Sequence, residues 1–208
     1  MLHNVRMTVA EIVLRSIEQR DLSVLFQRFF ADEYATWRDL DGAKDPIGEI
    51  TFDGYMERMQ SHLDSQSFER WLLIEIGETI TGMVLYDWES RLTQTIEVGI
   101  AIFEPEMWNK GYGTNALALW INFIFRQLSP MTICLTTKSA NHRMIRCAQK
   151  LGLEKDGAPC PHHINGEERV RMTISFDDWI KTSWSGISST KNIDKSCLDR
   201  SHGLIWKA

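Results

Sequence analysis

Glu97-Val-Gly-Ile-Ala-Ile-Phe-Glu-Pro-Glu-Met-Trp-Asn-Lys-Gly-Tyr-Gly-Thr114 reads as a strand that turns tightly and runs into a helix. Alternation over Gln94–Phe103 puts Ile96, Val98, Ile100 and Ile102 on one face and Glu97, Gly99 and Ala101 on the other. Past Pro105 and the glycines, Leu117, Trp120, Ile121, Ile124 and Leu128 share one helical face, while Leu119, Phe123 and Phe125 fill others, so the helix is expected to lie buried against a sheet. Gly111 and Gly113 let the backbone approach a ligand with no Cβ in the way. The unpaired amides of the helix's first turn, aided by the helix dipole, then suit phosphate oxygens. Two glycines before a helix also occur for turn geometry alone, so the wider sequence decides.

Upstream, Thr8–Ile17 reads as a first strand and Asp21 as the N-cap of a helix carrying Leu22, Leu25, Phe26 and Phe29 on one face. Residues 32–50 are acidic and broken by Gly42, Pro46 and Gly48, which predicts a loop or lid. Phe52–Leu63 is a second helix, and Trp71–Ile76 with Ile80–Trp88 forms a hairpin around Gly77-Glu-Thr79. Downstream come a strand, Met131–Thr137, and a helix opened by Asn141 whose Met144, Ile145, Ala148 and Leu151 share a face before Gly152 ends it. A closing hairpin, 153–164 with 168–176, turns at Asn165-Gly166. The simplest assembly is a mixed α/β sheet, with one domain over 1–180 and a polar, mobile tail over 181–208 in which Leu204-Ile205-Trp206 has the composition to dock locally.

With 208 residues, 43% hydrophobic and 25% charged, one domain can bury a substantial core. The apolar run Ala116–Phe125 is too short to cross a bilayer, and the N-terminus lacks the pattern of a secretory signal; no membrane contact and a cytoplasmic location are expected. A net charge of −5 disfavours nucleic-acid binding and mildly favours a cationic partner. Cys134, Cys147, Cys160 and Cys197 form no C-x-x-C pair, so reduced thiols and no metal site are expected. His162 and His163 are adjacent and would face opposite sides of a strand, a poor chelating pair.

Trp108-Asn-Lys-Gly111-Tyr-Gly113-Thr resembles the acyl-CoA-binding motif of the GNAT superfamily, Gln/Arg-x-x-Gly-x-Gly/Ala, and is similar to the Trp-Gly-Lys-Gly-Tyr-Ala/Gly form of its ribosomal-protein alanine acetyltransferase, RimJ/RimL-like, branch. Asn141-His-Arg-Met-Ile-Arg-Cys-Ala-Gln-Lys-Leu-Gly152-Leu resembles the same family's Asn-x-x-(Ala/Ser)-x-x-x-x-x-Lys-Leu-Gly-Phe segment, and the likeness runs from about Val9 to Trp179. It implies the GNAT fold, α/β or, in some schemes, α+β: a mixed, mostly antiparallel twisted sheet flanked by helices. It further implies an acetyl-CoA-dependent N-acetyltransferase. Strand backbone near Ile100 and Ile102 would hold the pantetheine arm, amides from Asn109, Lys110, Gly111, Tyr112, Gly113 and Thr114 the pyrophosphate, and Asn141 the pantetheine or thiol region. Asn141 would also cap a helix in any protein. The family contains monomers and dimers, so a homodimer is among the expected assemblies.

Acetyl transfer needs a neutral amine, and an alkylamine titrates near ~10, so a base must assist. Glu97 is the residue the strand offers, and family members often place a water-linked carboxylate there; the other reading is an ordinary half-exposed strand glutamate. The tyrosine that protonates the leaving thiolate in many members falls at Ala148, and the adjacent Cys147 more simply packs in the helix. A strand N–H near Ile100 is the expected oxyanion donor. Tyr34, Trp37 and Trp88 either line an acceptor pocket or serve packing. The acceptor would be a small amine or a protein N-terminus. The competing readings are a non-catalytic acyl-CoA-binding protein and a dinucleotide-binding domain. The second is weakened because position 116 is Ala where Gly-x-Gly-x-x-Gly needs Gly.

Overall fold

The computed structural model describes residues 5–28, 51–64, 70–157 and 168–187. Eight strands form one sheet in the order β1-β2-β3-β4-β5-β6-β8-β7. They are β1 Arg6–Val9, β2 Ile12–Arg15, β3 Trp71–Ile76, β4 Thr79–Ser90, β5 Thr95–Ile102, β6 Thr132–Lys138, β7 Glu154–Lys155 and β8 Arg169–Ser175. The helices are α1 Leu22–Phe26, α2 Phe52–Asp64, α3 Tyr112–Leu128, α4 His142–Lys150 and α5 Phe176–Trp179. Every ladder is antiparallel except β5–β6, which α3 joins by a crossover. This is the mixed, mostly antiparallel sheet that the resemblance implies.

The expected first strand is two. Ala10 takes a left-handed backbone (φ 50°), and Val9 pairs with Ile12, so the chain reverses in a two-residue turn that carries no glycine or asparagine to announce it. The β3–β4 hairpin has its signal in plain view: Gly77 and Glu78 both have positive φ, 54° and 67°. Asp21 does not cap α1 through its side chain, because Arg15 takes that carboxylate with Nη1 at 2.7 Å and Nη2 at 2.9 Å, and the Glu18 amide donates to it at 2.8 Å. Phe29, residues 32–50, the Asn165-Gly166 turn, His162, His163, Tyr34 and Trp37 lie outside the described residues.

Two cores sit on opposite sheet faces. α3 is buried continuously from Ala116 to Phe125 and packs with Ile145, Ala148 and Leu151 against Val84, Tyr86, Ile96, Val98, Ile133 and Leu135. The other face is covered by Leu22 and Leu25 of α1 and Tyr55, Met59 and Leu63 of α2, against Leu73, Met83 and Phe103. Trp88, directly across from Ile96, packs on the α3 side and so does not share the Glu97 face. Residues 180–187 continue the packed unit: Trp184 and Ile187 contact the α3-side core, and Asn122 Nδ2 donates to the Ile187 carbonyl at 2.7 Å. No helix among the described residues is long and apolar enough to cross a membrane.

Candidate active site

The site originates in a ladder that stops. β5 and β6 pair at Thr95–Thr132, Ile96–Ile133 and Glu97–Cys134, and the parallel register ends there. Beyond Glu97 the two strands diverge around a cavity of about 260 Å³, with Val98–Ile102 on one wall and Leu135–Thr137 on the other. The Phe103 amide bonds the Thr81 carbonyl of β4, which fixes the parity of β5: the peptide groups of Ile102, Ile100 and Val98 point the other way, into the gap. Ile102 bears this out, since its carbonyl accepts Trp108 Nε1 at 3.0 Å. A strand edge without a partner strand offers a row of donors and acceptors to an extended ligand.

At the mouth of the gap the chain passes through Asn109 (φ 59°) and Gly111 (φ 87°), both left-handed, and enters α3 with Gly111 as N-cap and no side chain capping it. The first-turn amides of a 17-residue helix therefore face the cavity uncapped. A Cβ on Gly113 would stand 3.8 Å from Ile102 Cγ1 and 4.0 Å from Ile100 Cδ1, so it would project toward the strand that forms the cavity wall. The cavity collects seven of the residues singled out from sequence: Ile100, Ile102, Asn109, Gly111, Gly113, Thr114 and Asn141. Lys110, Tyr112 and Glu97 are not in its lining. The Tyr112 hydroxyl turns away to Glu11, whose carboxylate raises the phenol's pKa.

Asn141 serves the fold directly. Its Oδ1 accepts the Met144 amide at 3.1 Å, capping α4, and its Nδ2 donates to Thr137 Oγ1 at 3.2 Å, pinning that cap to the cavity wall. Ala148 is fully buried in the α3-side core rather than lining the cavity. Cys147 does line it, with Sγ 3.4 Å from Thr114 Oγ1; burial pushes its thiol pKa up, against smaller opposing effects of Thr114 and Lys150. Sequence reasoning missed Trp108 as a contact residue and the cations Arg143, Arg146 and Lys150, all of which line the cavity. Their signal was the spacing i, i+3, i+7 in α4. The Arg143 guanidinium lies over the Trp108 ring, 4.2 Å from its centroid.

Glu97 stands at the apex where the strands part, on the sheet face opposite α3. Asp87 is its direct cross-strand neighbour on β4 and Cys134 on β6. Arg70 holds Asp87 at 2.5 Å, and Arg171 holds Glu89 through Nη2 at 2.6 Å and also pairs with Asp156. The Glu97 side chain has neither hydrogen bond nor ion pair among the described residues. Burial, then the charges of Glu97 and Glu89, push the Cys134 thiol well up, so it stays neutral. The space beside Gly99 is partly taken, because a Cβ there would meet Leu85 Cδ1 at 3.1 Å. No cluster of metal-ligating side chains occurs among the described residues.

Comparison with known proteins agrees with this geometry. Residues 11–154 match the model of the acetyltransferase (GNAT) domain. The chain is 28% identical over 151 residues, 72% of its length and 80% of the other's, to the SPbeta prophage-derived uncharacterized N-acetyltransferase YokL of Bacillus subtilis. Two solved structures share the fold. The ribosomal-protein-S5-alanine acetyltransferase of Vibrio fischeri has TM-score 0.66 at 21% identity, covering 84% of this chain and 98% of that one. The spermidine N-acetyltransferase of Vibrio cholerae, in complex with CoA and spermine, has TM-score 0.64 at 19% identity, covering 82% and 98%. A splayed parallel pair, a glycine-turned helix start and a family match over most of the chain meet in one conclusion: this protein belongs to the GNAT family and is an N-acetyltransferase.

Proposed function

We propose that the chain moves the acetyl group of acetyl-CoA to a primary amine by direct attack in a ternary complex. The observation that carries this is the gap between β5 and β6, which leads from Glu97 at its apex to the uncapped start of α3 at its mouth. The arm of the donor would pair with the peptide groups of Ile100 and Ile102, and its pyrophosphate with amides from Asn109 through Thr114. The amine nitrogen forms a bond to the thioester carbonyl carbon and the carbon–sulfur bond breaks. Glu97 takes the amine proton through water, and the departing thiolate takes a proton from solvent. The Ile100 N–H would stabilise the oxygen that gains negative charge.

The cradle would suit the donor because Gly111 and Gly113 carry no side chain. Gly113→Val would add methyl groups toward the cavity wall while disturbing the helix's first turn little. We expect acetyl-CoA affinity to fall at least ~10-fold by calorimetry with the melting temperature nearly unchanged. Undiminished affinity would remove the glycine turn from the donor site.

The acceptor belongs to one of two classes, a small cationic amine or a protein N-terminus, as in the RimJ/RimL-like branch. With Asp87 and Glu89 each held by an arginine, Glu97 is the carboxylate left on this sheet face to favour a cationic acceptor in either class. The test is release of free CoA thiol from acetyl-CoA on addition of polyamines, aminoglycosides or short basic peptides with free N-termini. Thiol release matched by acetylated amine is the expected result. Donor binding without product from either class would favour a non-catalytic acyl-CoA-binding protein.

A further inference from the structure

We infer that the Glu89–Arg171 ion pair is a brace that sets the opening of the β5–β6 gap from the far face of the sheet. Donor affinity then depends on two positioning residues that lie outside the cavity lining. This rests on acetyl-CoA being the donor.

The first support is the path of the pair. Met172 and Ile174 point into the α3-side core, so Arg171 and Thr173 face the other side, with Cys134 and Glu97. Arg171 is on β8 and Glu89 on β4, and both β5 and β6 lie between them. The guanidinium nonetheless reaches the carboxylate with two bonds, Nε to Oε1 at 3.1 Å and Nη2 to Oε2 at 2.6 Å. Glu89 also accepts from the thiol of Cys134, the ladder partner of Glu97, so the pair crosses the strands where they part.

The second support is how the junction is held. The β5–β6 ladder stops at Glu97–Cys134, whereas β4–β5 runs from Gly82 to Ser90 and β6–β8 from Thr132 to Lys138. On one face α3 packs across the parting, on Ile96 and Val98 of β5 and Ile133 and Leu135 of β6. On the other face Glu89 and Arg171 join the two halves. A bidentate guanidinium–carboxylate pair fixes both distance and angle, which suits it to limit how far a short ladder opens.

The third support is that charge balance does not call for Glu89. Asp156, next to β7, already pairs with Arg171 from the same half of the sheet, and its amide donates to the Arg171 carbonyl at 2.9 Å. A second carboxylate drawn across the sheet leaves this mostly buried cluster with a net negative charge, and burying charge costs stability. What Glu89 adds is a tie between the halves.

The test is calorimetric binding of acetyl-CoA to the full chain, wild type against E89Q, E89D and D156N, with thermal unfolding to show which variants fold. E89Q breaks the tie by removing the charge, and E89D by falling one methylene short. Each should bind acetyl-CoA about 10-fold more weakly, as expected if the gap keeps its working width only roughly a tenth of the time. D156N takes a carboxylate from the same guanidinium without crossing the parting, and should bind within about twofold of wild type. Removing a carboxylate favours an anionic donor, so weaker binding by E89Q reports geometry and not charge. Unchanged affinity in E89Q or E89D, or an equal loss in D156N, would overturn the inference and leave acetyl-CoA as donor intact. Unfolding of both Glu89 variants would make the pair a stability element and overturn it too. Failure of wild type to bind acetyl-CoA would overturn the donor reading and the inference with it.

Discussion

Glu97→Gln should lower kcat about 10²–10³-fold while leaving acetyl-CoA affinity within about twofold. Glu97 lies outside the cavity lining, so removing its charge should not disturb the donor; it stands at the point where β5 and β6 part, on the face away from α3, where an amine could reach the thioester. It is also free of partners among the described residues, while Asp87 and Glu89 are each held by an arginine. Gln keeps the size and loses the basicity, so a purely structural glutamate would show a changed melting temperature and little change in rate. Steady-state kinetics with donor titration decides it, and a kcat within about threefold of wild type would remove Glu97 from the chemistry.

Arg15→Ala should destabilise the protein by ~3–5 kcal/mol, the cost of leaving buried charges without their partner. Arg15, Asp21 and Glu75 are 4%, 3% and 9% exposed. Both terminal guanidinium nitrogens donate to Asp21 and Nε donates to Glu75, so one side chain ties the end of β2 to the start of α1 and to β3. Truncation leaves the buried Asp21 carboxylate with only the Glu18 amide and Glu75 with only Arg6, at 3.8 Å, and loosens the helix that covers the Glu97 face. Urea unfolding measures the loss; a change under about 1 kcal/mol would show that the network relaxes into solvent.

The elements with a repeated local signal were legible in the sequence. The long apolar face of α3 and the alternation of β5 follow from hydrophobic periodicity, and the Gly77 turn and the Asn141 cap from residue types suited to positive φ and to capping. The β1–β2 turn was not legible, because Ala10 adopts positive φ without the residue types that ordinarily do so. Asp21 has the chemistry of a cap, but Arg15, six residues earlier, claims its carboxylate through tertiary packing that local pattern does not encode.

The same division runs through the site. Gly111 and Gly113 carried the donor reading because glycine marks where backbone must come close. The cationic wall is not legible in the sequence, because Arg143, Arg146 and Lys150 look like the solvated face of an amphipathic helix until α4 is set beside α3. Ala148 shows the converse: a position aligned with a family tyrosine proves fully buried in the core. Where the ladder between β5 and β6 stops is a property of two strands 37 residues apart, Glu97 and Cys134, and no single segment announces it.

Thermal unfolding in parallel with acetyl-CoA, CoA and ATP tests the central claim most directly. Acetyl-CoA and CoA should each raise stability, by about 2.7 kcal/mol at a hundred times Kd, and ATP should have no comparable effect. No shift at saturating acetyl-CoA would contradict the cradle formed by β5, β6 and the start of α3, and with it the proposed donor.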